Sequence, residues 1–393
     1  MRIILTLVVA LVFPHLAHAQ LANINERALE ELRVAAERAH SDAVLVLQDN
    51  EPIAEWYFGE EQRPIELMSV LKSIVSLGIG RLLFLGQVDS LDQPVYTFYP
   101  AWNQGQKKDI TIRHLLNHTS GLQNVPNAGA EIYPSPDAIR LALAAELTEE
   151  PGTTFRYNNK ATNLLAGIIE KVYGQRMDQF MVKELFGPMG IEMYKWYYDQ
   201  MGNPHAMAGL ELYARDLAKF GQLVLDEGVW QGERLVSEDY IAEMLAPGQS
   251  DYPRCGLLWW RFPKETKYTL NETRVEALGA TAIAPEDFAA FKTLAGHTFG
   301  SRAERDAALA ERFGPDWRAS WAERFPDVNM ASLFEREDGP IVAYYGDGYL
   351  GQTIMVIPEH QIVAVRQVRG DDDYNAETDG FSAFKDLVWQ LFE

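Results

Sequence analysis

The sequence predicts an α/β domain interrupted by a mostly helical one, and three observations carry that expectation. Near the start, residues 42–49 (DAVLVLQD) and 51–58 (EPIAEWYF) are strand-like runs that meet at the turn dipeptide Asp49-Asn50. Near the end, residues 351–358 (GQTIMVIP) and 361–368 (QIVAVRQV) form a second β-rich pair joined by Glu359-His360. Between the pairs, from about Tyr99 to Pro204, the signals are mostly helical with Pro- and Gly-punctuated loops.

Residues 1–19 (MRIILTLVVALVFPHLAHA) join a basic start, an apolar run from Ile3 to Phe13 and the small-residue site Ala17-His18-Ala19. That is the shape of a secretory signal peptide cut before Gln20, and the run is too short to span a bilayer. An exported, periplasmic or secreted protein is expected. An amphipathic helix follows at 25–38, then the strand pair and an apolar helix from 66 to 83. A helix at 213–226 and a final helix at 380–393 complete the frame. The expected α/β domain is 20–98 plus 205–393, and the helical domain is 99–204. Residues 262–340 stand apart, rich in Ala, Glu, Arg and Phe. They read as a helical insertion, either a surface elaboration or a lid or wall over a site.

Size and charge narrow the functional classes. With 393 residues, 47% of them apolar, the chain holds enough for one large or two medium domains. A formal charge of −21 argues against nucleic acid and anionic membranes as partners. Cys255 is the only cysteine, so no internal disulfide forms and stability rests on packing. Oligomeric state is left open.

The helix at 66–83 (ELMSVLKSIVSLGIGRLL) carries the first chemical signal. Leu67, Val70, Leu71, Ile74, Val75, Leu77, Ile79, Leu82 and Leu83 cover most of its circumference, leaving one stripe: Ser69, Lys72, Ser73, Ser76 and Gly80. Small residues there mean that something packs close, so Lys72 is largely desolvated. A neutral or hydrogen-bonded Lys72 one turn from Ser69 would take its hydroxyl proton and make Ser69 a nucleophile. The alternative is a buried serine beside a snorkelling lysine. A second Ser-x-x-Lys, Ser382–Lys385, lies on the final helix. There Phe381, Phe384, Leu387, Val388 and Leu391 form the apolar stripe and leave both residues facing water.

Tyr157 and Asn159 follow the turn Pro151-Gly152 and the anchor Phe155, at the entry of a helix with Leu164, Leu165, Ile168, Ile169 and Val172 on its apolar face. A phenol and a carboxamide at a helix entry can project into a cleft, and a phenol near an amine can relay a proton. The alternative makes Tyr157 a packing residue and Asn159 an N-cap. His114 and His118 are spaced i, i+4, but the Glu that a zinc protease needs after the first His is absent. His205, His297 and His360 have no spacing partner. Residues 56–58 (WYF) and Trp259-Trp260 read as core and cleft wall.

These stretches together resemble the serine β-lactamase and penicillin-binding-protein-like superfamily, in particular its class-C-like esterase, peptidase and 6-aminohexanoate-oligomer hydrolase branch. MSVLKSIVSL resembles the nucleophile helix, DITIRHLLNHTSGL (109–122) the segment after it, PGTTFRYNNKATNLLAGIIEKVYG (151–174) the Tyr-x-Asn segment, ELYARDLAKFGQLVLDEGVWQGERLVSEDYI (211–241) a later helix and its exit, and CGLLWW (255–260) the next strand. The likeness runs from about Ala43 to Val368 and skips 262–340.

The resemblance implies an antiparallel sheet flanked by helices, a facing helical domain, and a site in the crevice between them. It implies Ser69 as nucleophile, Lys72 and Tyr157 as general acid/base, Asn159 as a substrate-orienting group, and no cofactor or metal. The third motif departs from the family's Lys or His, then Thr or Ser, then Gly. In YYGDGYLGQTIMVIP (344–358) the register puts Gly346-Asp347-Gly348 on that triplet. The backbone N–H groups of Tyr349 and Ser69 would then form the oxyanion hole. Without the Lys or His, a cation that holds a β-lactam or peptide carboxylate is gone, and Asp347 would repel such a group. An ester or uncharged amide is therefore the expected substrate. The rivals are a β-lactamase or D-Ala-D-Ala carboxypeptidase, and a catalytically silent binding protein on the same scaffold.

Overall fold

The computed structural model describes residues 24–59, 62–250, 252–281, 283–326, 328–370, 374–376 and 378–392. The signal-peptide expectation for residues 1–19 lies outside the described residues.

A six-stranded antiparallel sheet is the backbone of the molecule. Its strands are β1 (Ala43–Gln48), β2 (Glu51–Tyr57), β3 (Trp260–Pro263), β4 (Ile341–Gly348), β5 (Gln352–Ile357) and β6 (Ile362–Gln367), in the order β2-β1-β6-β5-β4-β3. Both predicted strand pairs form, and β1 closes on β6 with Val44 opposite Arg366 and Val46 opposite Ala364. Strands β1, β5 and β6 are buried along their whole length, which is why they read as continuous apolar runs.

Each face of the sheet has its own helical cover. On the outer face, α1 (Glu26–Arg38, N-capped by Asn25) and the C-terminal helix α5 (Phe384–Gln390) pack Leu32, Ala36, Phe384 and Val388 onto Val44, Val46, Met355 and Ala364. On the inner face lie α2 (Leu71–Phe84) and α4 (Ala214–Leu225), whose Leu217, Phe220 and Leu223 meet Ile354, Val363 and Val365. Helix α3 (Asn159–Tyr173), N-capped by Asn158, packs against α2 in the same core. At about 1.5–3 kcal/mol for each fully buried aliphatic side chain, α2 contributes heavily: every residue from Leu71 to Leu82 is buried. The small-residue stripe of this otherwise apolar helix is packed against neighbours. Ser73 Oγ donates to the Leu258 carbonyl, Ser76 bonds the Tyr240 hydroxyl, and Gly80 lies under the Tyr240 ring.

The insertion between β3 and β4 corrects one expectation. It contains helices, among them Pro285–Leu294 and Arg302–Phe313, but also a three-stranded sheet of Thr298–Phe299, Thr266–Leu270 and Phe334–Asp338. Thr266–Leu270 (TKYTL) and Phe334–Asp338 (FERED) are short, and the second is charged, so their alternation is masked by the neighbouring Ala/Glu/Arg periodicity. The insertion has its own core of Leu270, Val275, Phe291, Phe299, Leu309 and Phe334. Arg254 fastens it to the main body by pairing with Asp338 and donating to Thr266 Oγ1 at 2.6 Å.

Candidate active site

The site grows from the turn that enters α2. Met68–Val70 is a short 3-10 segment, and Met68 sits at φ +49°, a left-handed conformation that costs a non-glycine residue energy. Two contacts hold it there: Leu67 N–H donates to the Leu210 carbonyl at 2.8 Å, and β4 presses on the turn from the other side. The result lifts Ser69 out of the core at the N-terminal end of α2. Its own N–H is among the first-turn donors that find no acceptor inside a helix, at the positive end of the helix dipole.

Lys72 follows one turn later and is only 3% exposed. Its Nζ lies 2.8 Å from Ser69 Oγ and donates to the Met207 carbonyl at 2.6 Å. Asn163 on α3 sets that carbonyl in place, because its Oδ1 accepts from both Ala206 N–H and Met207 N–H. No carboxylate pairs with Lys72 among the described residues. Burial alone therefore acts on it, and holds its pKa well below the usual lysine value.

Tyr157 comes from the loop before α3, with the Lys72 Nζ 5.0 Å from its ring centre. Burial raises its phenol to about 12, while a hydrogen bond with the Ser69 side chain pulls the other way, so the group is a neutral O–H donor near pH 7. The loop is pinned by neighbours: Asn124 donates to the Tyr157 carbonyl at 3.0 Å, and Asn158 Nδ2 to the Leu122 carbonyl at 2.8 Å.

His118, which the sequence offers only as half of an i, i+4 histidine pair, stands beside the site. Its ring packs 4.6 Å from that of Tyr157, and its Nδ1 accepts the Asn158 N–H at 3.2 Å. Burial, aided by Lys72, lowers it to about 3, so it stays neutral and acts as a brace for the Tyr157 loop. The signal available was the HLLNH spacing, which placed His118 one turn below His114. His114 itself closes a capping box with Thr111.

Outward from Tyr157 runs an aromatic wall. Trp260 stacks on Tyr157 at 6.2 Å, Phe155 stacks on Tyr252 at 4.7 Å, and both touch Trp260. Arg336 of the insertion lies 5.5 Å above the Tyr252 ring, so the insertion reaches the outer end of this wall. Trp259, by contrast, is core, and its indole N–H donates to the Ser73 carbonyl.

Asn159 opens α3, but the N-cap is Asn158, whose Oδ1 accepts the Ala161 N–H. Asn159 Oδ1 is buried with no hydrogen-bond partner among the described residues. An acceptor left in that state costs free energy unless a bound group supplies a donor.

The third motif is corrected by strand geometry. A Cβ on Gly346 would come within 2.6 Å of Ser73 Oγ, and one on Gly348 within 2.7 Å of the Leu67 carbonyl oxygen. Both positions therefore face the nucleophile turn, and only glycine lets β4 come so close. Asp347, between them, points to the opposite face of the sheet. There Lys385 Nζ sits 3.0 and 3.2 Å from its two carboxylate oxygens, and Thr353 donates to it at 2.9 Å. Asp347 is thus held by Lys385 and Thr353 away from the nucleophile turn, which argues against a substrate-binding role, although its charge still acts on the Tyr157 phenol. The same pair corrects the reading of the final helix: Ser382 is exposed as expected, while Lys385 is folded onto Asp347 and over the Tyr345 ring at 4.7 Å.

Ser69, Lys72 and Tyr157 are brought together, with Gly346 and Gly348 lining the other side, and Asn159 follows two residues after Tyr157 at the start of α3. The arrangement can activate a hydroxyl by a dry amine and return the proton through a phenol.

Comparison with known proteins finds relatives in sequence and in fold. The model of the Beta-lactamase family matches residues 27–381. The 6-aminohexanoate-dimer hydrolase of Paenarthrobacter ureafaciens is 30% identical over 243 residues, covering 57% of this chain and 62% of the relative. The putative penicillin-binding protein PbpX of Bacillus subtilis is 26% identical over 51% of this chain, and the chain spans about half of its length, 52%. Esterase EstB of Burkholderia gladioli is 29% identical over 33% of this chain and 38% of its own. Among solved structures, a putative β-lactamase from Bacteroides dorei superposes with a TM-score of 0.63 at 16% identity, covering 93% of this chain and 98% of that one. A class C β-lactamase from Rhodobacter sphaeroides shares the fold with a TM-score of 0.55 at 13% identity, over 93% of this chain and 100% of that one. With the family model matching residues 27–381, most of its length, the chain belongs to the Beta-lactamase family of serine hydrolases.

Proposed function

We propose that the protein is an exported hydrolase that cleaves an ester or an uncharged linear amide through an acyl-enzyme on Ser69. The observation that carries this reading is the 2.8 Å contact between Ser69 Oγ and a buried Lys72 amine that has no counter-charge among the described residues. In its neutral form the amine gives one N–H to the Met207 carbonyl and keeps its lone pair for the Ser69 O–H.

Ser69 Oγ attacks the carbonyl carbon as its proton passes to Lys72. The N–H groups of Ser69 and Tyr349 hold the oxyanion, and the acyl–leaving-group bond then breaks. The leaving alcohol or amine takes a proton from Tyr157, which recovers one from the Lys72 ammonium. Water attacks the acyl-enzyme with Lys72 again as base, and the acid departs. Asn159 Oδ1, unpartnered, is the acceptor for a substrate N–H.

Preference for an uncharged substrate rests on Gly346. The family's cation stands at that position, and glycine supplies none. The relatives named as an amide-dimer hydrolase and an esterase favour the same substrate classes. Residues 1–19 are read as an export signal, so the mature chain would begin at Gln20, which the mass of the secreted product checks.

Short-chain p-nitrophenyl esters, linear amides and a chromogenic cephalosporin, offered to wild type and Ser69→Ala, test the proposal. Ser69-dependent turnover of esters or amides is expected, with a fluorophosphonate adduct on Ser69. Faster turnover of the cephalosporin would make the protein a β-lactamase, and neither turnover nor adduct would leave a binding protein.

A further inference from the structure

Arg366 lies in the middle of the sheet on β6 with 0% of its surface exposed. A guanidinium has five N–H groups, and five acceptors surround this one. Nε donates to Ser41 Oγ at 2.8 Å; Nη1 donates to the carbonyls of Leu350 at 3.2 Å and Gly351 at 2.9 Å; Nη2 donates to the carbonyls of Ala39 at 2.8 Å and Asp379 at 2.7 Å. None of the five is a carboxylate. Burying a cation among neutral acceptors is costly, and burial pulls this guanidinium down to about 10 although the nearby Tyr374, Asp379, Asp42 and Asp347 pull the other way. A β6 otherwise built from Ile362, Val363, Ala364 and Val365 has no packing need for it.

What the cation secures is the turn after β4. Leu350 at φ +68° and Gly351 at φ +85° are consecutive left-handed residues, and a Cβ on Gly351 would overlap Arg366 Nη1. Tyr349, just before them, is 67% exposed, so its side chain anchors nothing in the core. Two sets of contacts flank the turn: Gly348 rests on Leu67 and Met68, next to Ser69, and Arg366 grips the two carbonyls that follow Tyr349, the second of which also accepts from Thr353 Oγ1 at 3.4 Å.

We infer that Arg366 is a positioning residue for the oxyanion hole, holding the Leu350-Gly351 carbonyls from behind so that the Tyr349 N–H is aimed at the Ser69 site. The inference rests on the serine-hydrolase reading above. It assigns a role to a residue that touches no substrate and lies on the far side of the turn.

Arg366→Lys keeps the charge but loses the fork that spans the turn. Losing one aimed oxyanion donor costs ~10²–10³-fold in kcat, and a donor turned away rather than removed should cost ~10–100-fold. The expected signature is that fall in kcat for p-nitrophenyl butyrate with KM within threefold. Affinity for a phenylboronic acid, which forms a tetrahedral adduct on Ser69, should fall in parallel. The acid limb of the pH profile should stay in place, because Lys72 is untouched. A folded Arg366→Lys enzyme with kcat and boronate affinity within threefold of wild type overturns the inference. If that variant does not fold, Gly351→Ala decides, since it keeps the arginine and displaces the turn: the same signature supports the inference, and wild-type kcat overturns it. Wild-type protein without Ser69-dependent turnover or labelling defeats the hydrolase reading itself, whereas turnover indifferent to Arg366 defeats only this step.

Discussion

Two Ser-x-x-Lys turns occur in this chain, and they ended in opposite electrostatic settings. At Ser69–Lys72 the amine is buried among α2, α3 and the Met207 carbonyl, with a hydroxyl as its nearest neighbour and no acid in reach. At Ser382–Lys385 the amine reaches across the sheet edge to the Asp347 carboxylate and remains an ion pair, while the serine looks into solvent. The tetrapeptide is the same. What differs is whether the fold supplies a counter-charge, and only the amine without one is free to accept a proton.

The largest effects should come from the first turn. Ser69→Ala and Lys72→Ala should each lower kcat/KM for a p-nitrophenyl ester by ~10³-fold or more, and Ser69→Ala should abolish the fluorophosphonate adduct seen by intact mass. Equal labelling of wild type and Ser69→Ala would erase the contrast between the turns. Tyr157→Phe comes next, at ~10²–10⁴-fold in kcat with KM little changed, since a phenol that relays a proton matters to the transition state.

The pH profile sharpens the comparison. Acylation requires neutral Lys72, so kcat/KM should rise with pH through a pKa well below that of an ordinary lysine and level off well before pH 10.5. A rise that continues to pH 10 would mean that Lys72 behaves like an exposed amine. The same shift has a consequence for stability. Because the folded pKa is depressed below the unfolded value, the unfolded chain binds the extra proton between those two pH values, and stability rises with pH across that window. Lys72→Met should therefore raise the melting temperature at pH 7 by roughly 1–3 °C, with the gain shrinking as pH approaches 10.5. Calorimetry at the two pH values checks both parts.

The smallest effect belongs to the second turn. Lys385 and Asp347 are partly exposed, and Lys385→Ala should cost about 1 kcal/mol or less by chemical denaturation, with kcat within a few-fold of wild type. A hundredfold loss of activity would show that the outer face of β4 matters to the site as much as the inner one.

Much of this was legible in the chain. Both strand pairs appear within a residue or two of their predicted limits, because fully buried strands leave continuous apolar runs. The stripe Ser69, Lys72, Ser73, Ser76 and Gly80 announced close packing before any partner was known, and Tyr240, Leu258 and Met207 are those partners. The insertion was harder: its strands are two to five residues long, too short for alternation to outweigh the helical periodicity around them. Asp347 misled for another reason. A motif register says which residue stands beside the nucleophile strand by strand, but a one-residue step changes the face, and the glycines on either side left no apolar pattern to fix it.

By itself, then, the sequence determined the strands, the apolar nucleophile helix and the Ser-Lys and Tyr-x-Asn groups, all of which follow from local periodicity and spacing. Tertiary structure alone decided which lysine is dry, which way Asp347 points, and that His118 and Arg366, far apart in the chain from Ser69, stand behind its neighbours. The reason is physical: periodicity is written over a few consecutive residues, whereas desolvation and charge pairing depend on segments from 38 residues away, as for Asp347 and Lys385, to 135, as for Lys72 and Met207.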